Sequence, residues 1–364
     1  MKLLCAVEKR LPGLKDMVFP QVKEFNKIET VEYLWDDPDV ESITLAMGRI
    51  EANGPEEESL PQGYAENDDV EIVMTNYCPV SREGLSVLKN VRVVGVIRSG
   101  FENVNVAAAT EKNVLVVNAS GRNADAVSDF TVGLMLSEVR NIAKAHHSVK
   151  NGEWQIKFAN NDSIPDLREK TIGLFGFGYI GKLVAEKLSG FHMKVIYYDP
   201  WVSPEEGKNF GAVSVSKEQL FTEADFISVH ARLTEESKKA IGRTELESMK
   251  PTAYFINTAR AGLVDYDALY ELLRDHKIKG AGLDVFEKEP LDATDRFRAL
   301  DNVTMTTHLA GYTTDAIRNS PRLIMRRLKN ILLNDARDGV VNPSVLETPE
   351  FQEWKNKARA YFQD

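Results

Sequence analysis

The sequence predicts an α/β protein built on two doubly wound parallel sheets. Short apolar runs of four to six residues alternate with longer amphipathic stretches, the pattern of buried strands flanked by helices. The chain has 364 residues, which at about 150 per domain suggests two domains. The runs also fall into two series, separated by one long apolar helix.

The first series of predicted strands covers residues 2–7, 71–75, 91–96 and 114–117. The second covers 171–175, 194–198, 226–229, 253–257, 281–284 and 303–306. Most are rich in Val, Ile, Leu or aromatics, as strands buried on both faces should be. Between the series, residues 123–150 read as a single helix opened by Asn123. Its centre, Phe130-Thr131-Val132-Gly133-Leu134-Met135-Leu136, is apolar nearly all round, so it must be covered on several sides, by a core or a subunit interface. Residues 51–71 hold eight acidic and no basic residues among Gly54-Pro55 and Pro61, and read as a solvated surface insertion. Arg318, Arg322, Arg326, Arg327 and Lys329 read as the solvated face of a late helix. The tail offers Thr348 as N-cap, Pro349 at the first helical position, and Phe351, Trp354, Ala358 and Tyr361 as a docking face.

Composition narrows the function. Forty-five Lys and Arg against 55 Asp and Glu leave a formal charge of −10. The pI of about 5.3 argues against nucleic acid as a partner. Cys5 and Cys78 belong to no C-x-x-C pattern, so neither a disulfide framework nor a metal site is expected, and a reducing, cytoplasmic setting fits. The opening apolar run is shorter than a signal core and reads as a strand. No stretch reaches the ~18 to 20 apolar residues that span a bilayer, so no membrane partner is expected.

The chemistry begins at Thr171-Ile172-Gly173-Leu174-Phe175, which runs into Gly176-Phe177-Gly178-Tyr179-Ile180-Gly181 and then an amphipathic helix. A bare G-x-G-x-x-G is weak, but here a strand precedes it, a helix follows, and a second strand ends in Asp199, 18 residues after Gly181. Gly176 permits the tight turn, Gly178 lets the backbone approach a pyrophosphate, and Gly181 allows close helix–strand packing. The helix N-terminus offers unpaired N–H groups and partial positive charge to the phosphates. Asp199 can accept from ribose hydroxyls and repel a 2′-phosphate. With no Arg or Lys in Pro200-Trp201-Val202-Ser203, NAD is favoured over NADP. The competing reading is a glycine turn in an unrelated α/β protein such as a methyltransferase.

Three ionisable residues follow at predicted strand ends, where open α/β sheets place their sites. Arg260 stands in Asn257-Thr258-Ala259-Arg260-Ala261-Gly262, Glu289 immediately before Pro290, and His308 in Thr307-His308-Leu309-Ala310-Gly311. An imidazole, with a pKa of roughly 6.5, can exchange a proton near neutrality. A carboxylate on its other nitrogen would fix the tautomer, and a guanidinium can grip a carboxylate with two bonds.

With these motifs in this order, from about Val91 to Pro343, the chain resembles the D-isomer-specific 2-hydroxyacid dehydrogenases, the family that includes D-3-phosphoglycerate dehydrogenase and hydroxypyruvate reductases. The resemblance implies a Rossmann NAD domain, residues 121–311, inserted into a flavodoxin-like substrate domain, residues 1–120 with 312–364. It implies hydride transfer between nicotinamide and a small 2-hydroxy or 2-keto acid, in a cleft that closes against water. Arg260, Glu289 and His308 then take the family's catalytic roles, with Glu289 preferred to Glu287 because the family's acid immediately precedes the proline. Cofactor contacts extend to Tyr179, Ile180, His230, Ala231, Thr258 and Ala259, with Asp284 approaching the nicotinamide carboxamide. Arg98-Ser99-Gly100 resembles the loop whose amides hold the substrate carboxylate, with Arg98 in place of the commoner first glycine. Arg122 sits in a second loop. The two arginines suggest a substrate with a second anion or several hydroxyls, or else they pair with the acidic surface. His146, His147, His192 and His276 are expected at the surface, and a homodimer through the 123–150 helix is expected. A formate-type dehydrogenase is disfavoured because that branch carries Gln in place of Glu289. An NADH-sensing corepressor-like protein of the same fold is the alternative from another class.

Overall fold

The structure, a computed structural model, describes residues 1–36 and 43–363. The chain divides into two compact units, Met1–Arg122 with Thr313–Asp364, and Asn123–Tyr312.

The first unit carries five parallel strands: β1 Lys2–Glu8, β2 Glu29–Trp35, β3 Ile72–Thr75, β4 Val93–Val96 and β5 Leu115–Asn118. Their order is β2-β1-β3-β4-β5, the flavodoxin-like arrangement. Alternation along β1 sends Leu3, Cys5 and Val7 to one face and Leu4 and Ala6 to the other. The first face is covered by Ile324, Leu328, Phe351 and Trp354 from two C-terminal helices. The second packs with Tyr64, Leu85 and Ala108.

The second unit holds seven parallel strands: β6 Thr171–Phe175, β7 Lys194–Tyr198, β8 Ala212–Ser214, β9 Phe226–Val229, β10 Tyr254–Asn257, β11 Gly280–Leu283 and β12 Val303–Met305. They run β12-β11-β10-β9-β6-β7-β8, a Rossmann sheet with one strand added beyond the usual six. The order reverses between β6 and β9, the switch point where such sheets bind ligands.

Several expectations are corrected. The strands β2 and β8 are absent from the sequence reading. Both are edge strands, and the charged alternation of Glu29-Thr30-Val31-Glu32 leaves β2 without the all-apolar signature of a central strand. The 123–150 helix is two helices, Ala124–Val139 and Ile142–Lys150, broken at Asn141 with a φ of 56°. Asn141 Nδ2 donates to Asn160 Oδ1 at 2.8 Å, a tertiary contact that holds the break. Residues 51–71 are not wholly solvated: Tyr64 is completely buried, and buried Glu58 is paired with Arg49 at 2.5 Å. Arg327 is also buried rather than on the solvated face. It bonds Asp338, Asn118 O and Ser120 O, partners distant in sequence. The tail helix Pro349–Phe362 is capped by Thr348, but its docking face uses Phe362, while Tyr361 is 39% exposed.

Candidate active site

In the second unit, the glycine loop is fixed by the end of β9. The His230 amide donates to Phe175 O at 2.7 Å, which draws the backbone of 230–231 across Gly176. A Cβ on Gly176, whose φ is 97°, would lie 2.4 Å from Ala231 N. One on Gly181 would lie 2.5 Å from Gly176 O, so the following helix touches the loop backbone. Gly178, by contrast, faces open space, with no atom of the described residues beyond its chain neighbours within 4 Å of its Cβ position. It begins the helix Tyr179–Leu188, whose N-terminus has no side-chain cap. Ile180 packs beneath, and Tyr179 is half exposed.

Asp199 ends β7 and accepts from the Phe177 amide at 2.8 Å and the Trp201 amide at 2.9 Å, so its carboxylate is locked beside the loop. His230 Nε2 meets Ser228 Oγ at 2.9 Å, whereas its buried Nδ1 has no partner among the described residues. Burial pulls this imidazole down to about 3, so it is neutral near pH 7. An uncapped helix N-terminus over open space, an anchored carboxylate and an orphaned buried nitrogen are what a dinucleotide would complete. Gly176, Gly178, Gly181, Asp199 and His230 would hold NAD. Thr258 Oγ1 meets Thr131 Oγ1 at 2.7 Å, which fixes the start of the next turn.

That turn carries Arg260. Asn257, completely buried at the end of β10, accepts from the Ala259 amide at 3.0 Å and donates to Arg260 O at 3.2 Å. The Arg260 side chain is exposed, with one guanidinium nitrogen on Ala259 O at 2.7 Å. Past β11, Glu289 Oε1 accepts from the Phe286 amide at 2.9 Å, and Oε2 lies 2.7 Å from His308 Nδ1. Burial pushes the Glu289 carboxyl up. The hydrogen bonds from His308 and Phe286 and the charge of nearby Arg260 outweigh it and hold the carboxyl below its ordinary value. The carboxylate requires a proton on His308 Nδ1, so the neutral ring carries its lone pair on Nε2. Among the described residues Nε2 has no hydrogen-bond partner.

His308 itself has a φ of 59°, in the left-handed region that a histidine seldom occupies. The turn is held there by Asp284, completely buried, which accepts from Thr306 Oγ1 at 2.5 Å and from the amides of Leu309 and Ala310, each at 2.9 Å. Both oxygens of Asp284 thus face the His308 turn. Sequence reasoning missed this support, and it missed Asn257. The only signal is that each polar residue ends an apolar strand, where burial demands internal partners.

In the first unit, the loops after β4 and β5 carry Arg98, Ser99, Gly100 and Arg122. Asn118 Nδ2 donates to Ser99 O at 2.6 Å and the Ala119 amide to Arg98 O at 2.8 Å, so the loops are stitched together. Arg98 pairs with Glu51 at 3.2 Å and Glu102 at 3.0 Å. Among the described residues the Ser99 and Gly100 amides have no internal acceptor, and the Glu102 carboxylate lies against Gly100, 2.4 Å from where a Cβ would stand. No described group of His, Cys, Asp and Glu could hold a metal ion, and no described helix is long and apolar enough to cross a membrane.

Residues 132–310 match the NAD-binding domain of the D-isomer specific 2-hydroxyacid dehydrogenases. A D-3-phosphoglycerate dehydrogenase of Methanocaldococcus jannaschii is 35% identical over 86% of this chain and 59% of its own length. A hydroxypyruvate reductase of Thermotoga maritima is 39% identical over 68% of this chain and 79% of its own. The chain spans little more than half of the phosphoglycerate dehydrogenases it matches first, 59% and 53%. Among solved structures, D-lactate dehydrogenase with NAD+ from Lactobacillus jensenii superposes with a TM-score of 0.69 at 25% identity, over 90% of this chain and 95% of that one.

Proposed function

Because the chain belongs to the D-isomer specific 2-hydroxyacid dehydrogenase family, we propose that it interconverts a small 2-hydroxy acid and its 2-keto acid with NAD as cofactor. The observation that carries this reading is the His308–Glu289 pair, 2.7 Å apart and mounted on two independently braced turns.

NAD, when bound, supplies the hydride donor or acceptor. The residues do the rest. Nδ1 of His308 is committed to Glu289, so Nε2 delivers the proton to the developing alkoxide in reduction and removes it from the hydroxyl in oxidation. Arg260 grips the substrate carboxylate with its planar fork and polarises the adjacent carbonyl. Asp284 and Asn257 position His308 and Arg260 without touching substrate. Asp199 selects NAD over its 2′-phosphorylated form by charge.

The same reading includes a homodimer through the second unit, where Ile142, Val149, Trp154 and Ile156 are between 55% and 83% exposed along one segment. The two free, buried cysteines suit a reducing compartment such as the cytoplasm.

The test is NADH consumption by the purified chain with glyoxylate, hydroxypyruvate and 2-oxobutyrate. Turnover with at least one supports the enzyme. Tight NADH binding with no turnover on any 2-keto acid supports a sensor instead and overturns the proposal.

A further inference from the structure

The second unit holds a charged group that the proton and hydride chemistry does not use. The segment that leaves β9 runs from the glycine loop to the turn of Arg260, and its backbone is fixed on both sides. On one side Ala231 N lies 2.4 Å from where a Cβ on Gly176 would stand. On the other, the Leu233 side chain lies 3.0 Å from the corresponding position on Gly262. Ser237 Oγ donates to Arg232 O at 2.7 Å and accepts from the Thr234 amide at 2.7 Å, which closes the segment into a turn. The backbone of Arg232 is therefore held next to the residue that touches Gly176. Its side chain is exposed and pairs with no carboxylate among the described residues. The acids of the same segment leave it free. Glu236 is engaged by the Thr234 hydroxyl, which holds its carboxyl below the ordinary value, and Glu235 forms no ion pair among the described residues.

We propose that Arg232 supplies the side-chain cation of the cofactor site and pairs with the pyrophosphate of NAD, an inference resting on the NAD reading above. The charges around the loop select this partner. A pyrophosphate brings a negative charge on each phosphate to Gly176–Gly181, a stretch with no basic residue. Beside it Asp199 adds another, its carboxylate locked on the Phe177 amide. The uncapped N-terminus of the Tyr179–Leu188 helix offsets part of this with backbone dipoles. The first cation of that helix, Lys182, is already paired with Glu206. Lys238 and Lys239 lie further along, where the Lys239 amide donates to Gly262 O at 2.8 Å, beside the Arg260 turn. Arg232 stands nearer the loop in sequence than either, uncommitted, and a guanidinium meets phosphate oxygens as a planar fork.

The experiment measures NADH binding to the full chain by nicotinamide fluorescence, and ADP-ribose and adenosine by displacement of NADH. Arg232→Gln should weaken NADH and ADP-ribose alike by about tenfold at low salt, the scale of one lost charge-assisted hydrogen bond. Adenosine carries no phosphate and should change by less than about twofold, since the lost bond is to phosphate alone. Arg232→Lys keeps the charge and should recover all but about threefold of the loss. The difference between wild type and Arg232→Gln should shrink at about 1 M salt, where charges are screened within about 3 Å. Wild-type Tm in both variants excludes a structural cause. A loss for NADH without one for ADP-ribose would place the guanidinium on the nicotinamide half. Unchanged cofactor binding with a raised KM for a phosphorylated 2-keto acid would place it on the substrate. Either result, or equal dissociation constants throughout, would overturn the pairing with pyrophosphate while leaving NAD as the cofactor. A wild-type chain that binds no NADH would overturn both.

Discussion

Asp284→Asn changes one atom in a buried site and tests how the His308 turn is held. Asp284 Oδ1 accepts from Thr306 Oγ1 and Leu309 N, and Oδ2 accepts from Ala310 N. In the best placement the amide oxygen of Asn keeps the Oδ1 bonds, and its NH2 then confronts the Ala310 amide, donor against donor. One buried N–H loses its acceptor, at a cost of about 2 kcal/mol. For a unit of this size, that is about 4–8 °C in Tm. The same loss frees His308 from its left-handed conformation, so kcat for 2-keto acid reduction should fall at least tenfold while NADH still binds. Differential scanning fluorimetry and NADH-oxidation kinetics on the purified variant read both effects. A variant with wild-type Tm and wild-type kcat would refute the claim that Asp284 positions the turn.

The remaining predictions concern the cofactor loop, the proton pair and the C-terminal helix. Gly176→Ala puts a methyl 2.4 Å from the Ala231 backbone nitrogen, so NADH binding measured by nicotinamide fluorescence should drop at least 100-fold, on the scale of ~3 kcal/mol for overpacking against backbone. Glu289 has its carboxyl below the ordinary value of 4.5 in the folded state, so the pair adds stability above that pH and loses it as pH falls through the lower folded value. The Tm difference between wild type and Glu289→Gln should therefore narrow as pH drops below about 4, and thermal scans across pH 3 to 7 check it. Phe351→Ala removes a completely buried ring that packs on Trp354, and urea denaturation should show a loss of about 3–5 kcal/mol in the first unit.

How much of this was legible in the sequence depends on how local the physics is. The glycine loop and Asp199 could be read because strand, turn and helix lie within about thirty residues and each glycine answers a local demand. β9, Phe226–Val229, could be read because a strand buried on both faces is apolar throughout. β2 escaped because an edge strand keeps its charges. The break at Asn141 depends on Asn160, and the burial of Glu58 depends on Arg49, so neither leaves a mark in hydrophobic periodicity. At the site, Arg260, Glu289 and His308 stood out by chemical type and by their places in motifs. The structure brings Glu289 and His308 together and sets Arg260 near enough to act on the carboxylate. Asp284 and Asn257 lie in plain view at strand ends, but their work is visible only once the turns they hold are folded. For Arg98, the pairing with the acidic surface that the sequence offered as one option is present, through Glu51 and Glu102. Arg122 remains without a carboxylate among the described residues.

A single comparison bears most directly on the account: the rate of 2-keto acid reduction and the NADH dissociation constant, measured together for wild type and His308→Gln. Glutamine preserves polarity and approximate length but cannot shuttle a proton, so kcat should fall by about 10² to 10⁴ with the dissociation constant moving less than threefold. A variant that reduces the keto acid at the wild-type rate would remove His308 from the chemistry, and with it the mechanism built on its pairing with Glu289.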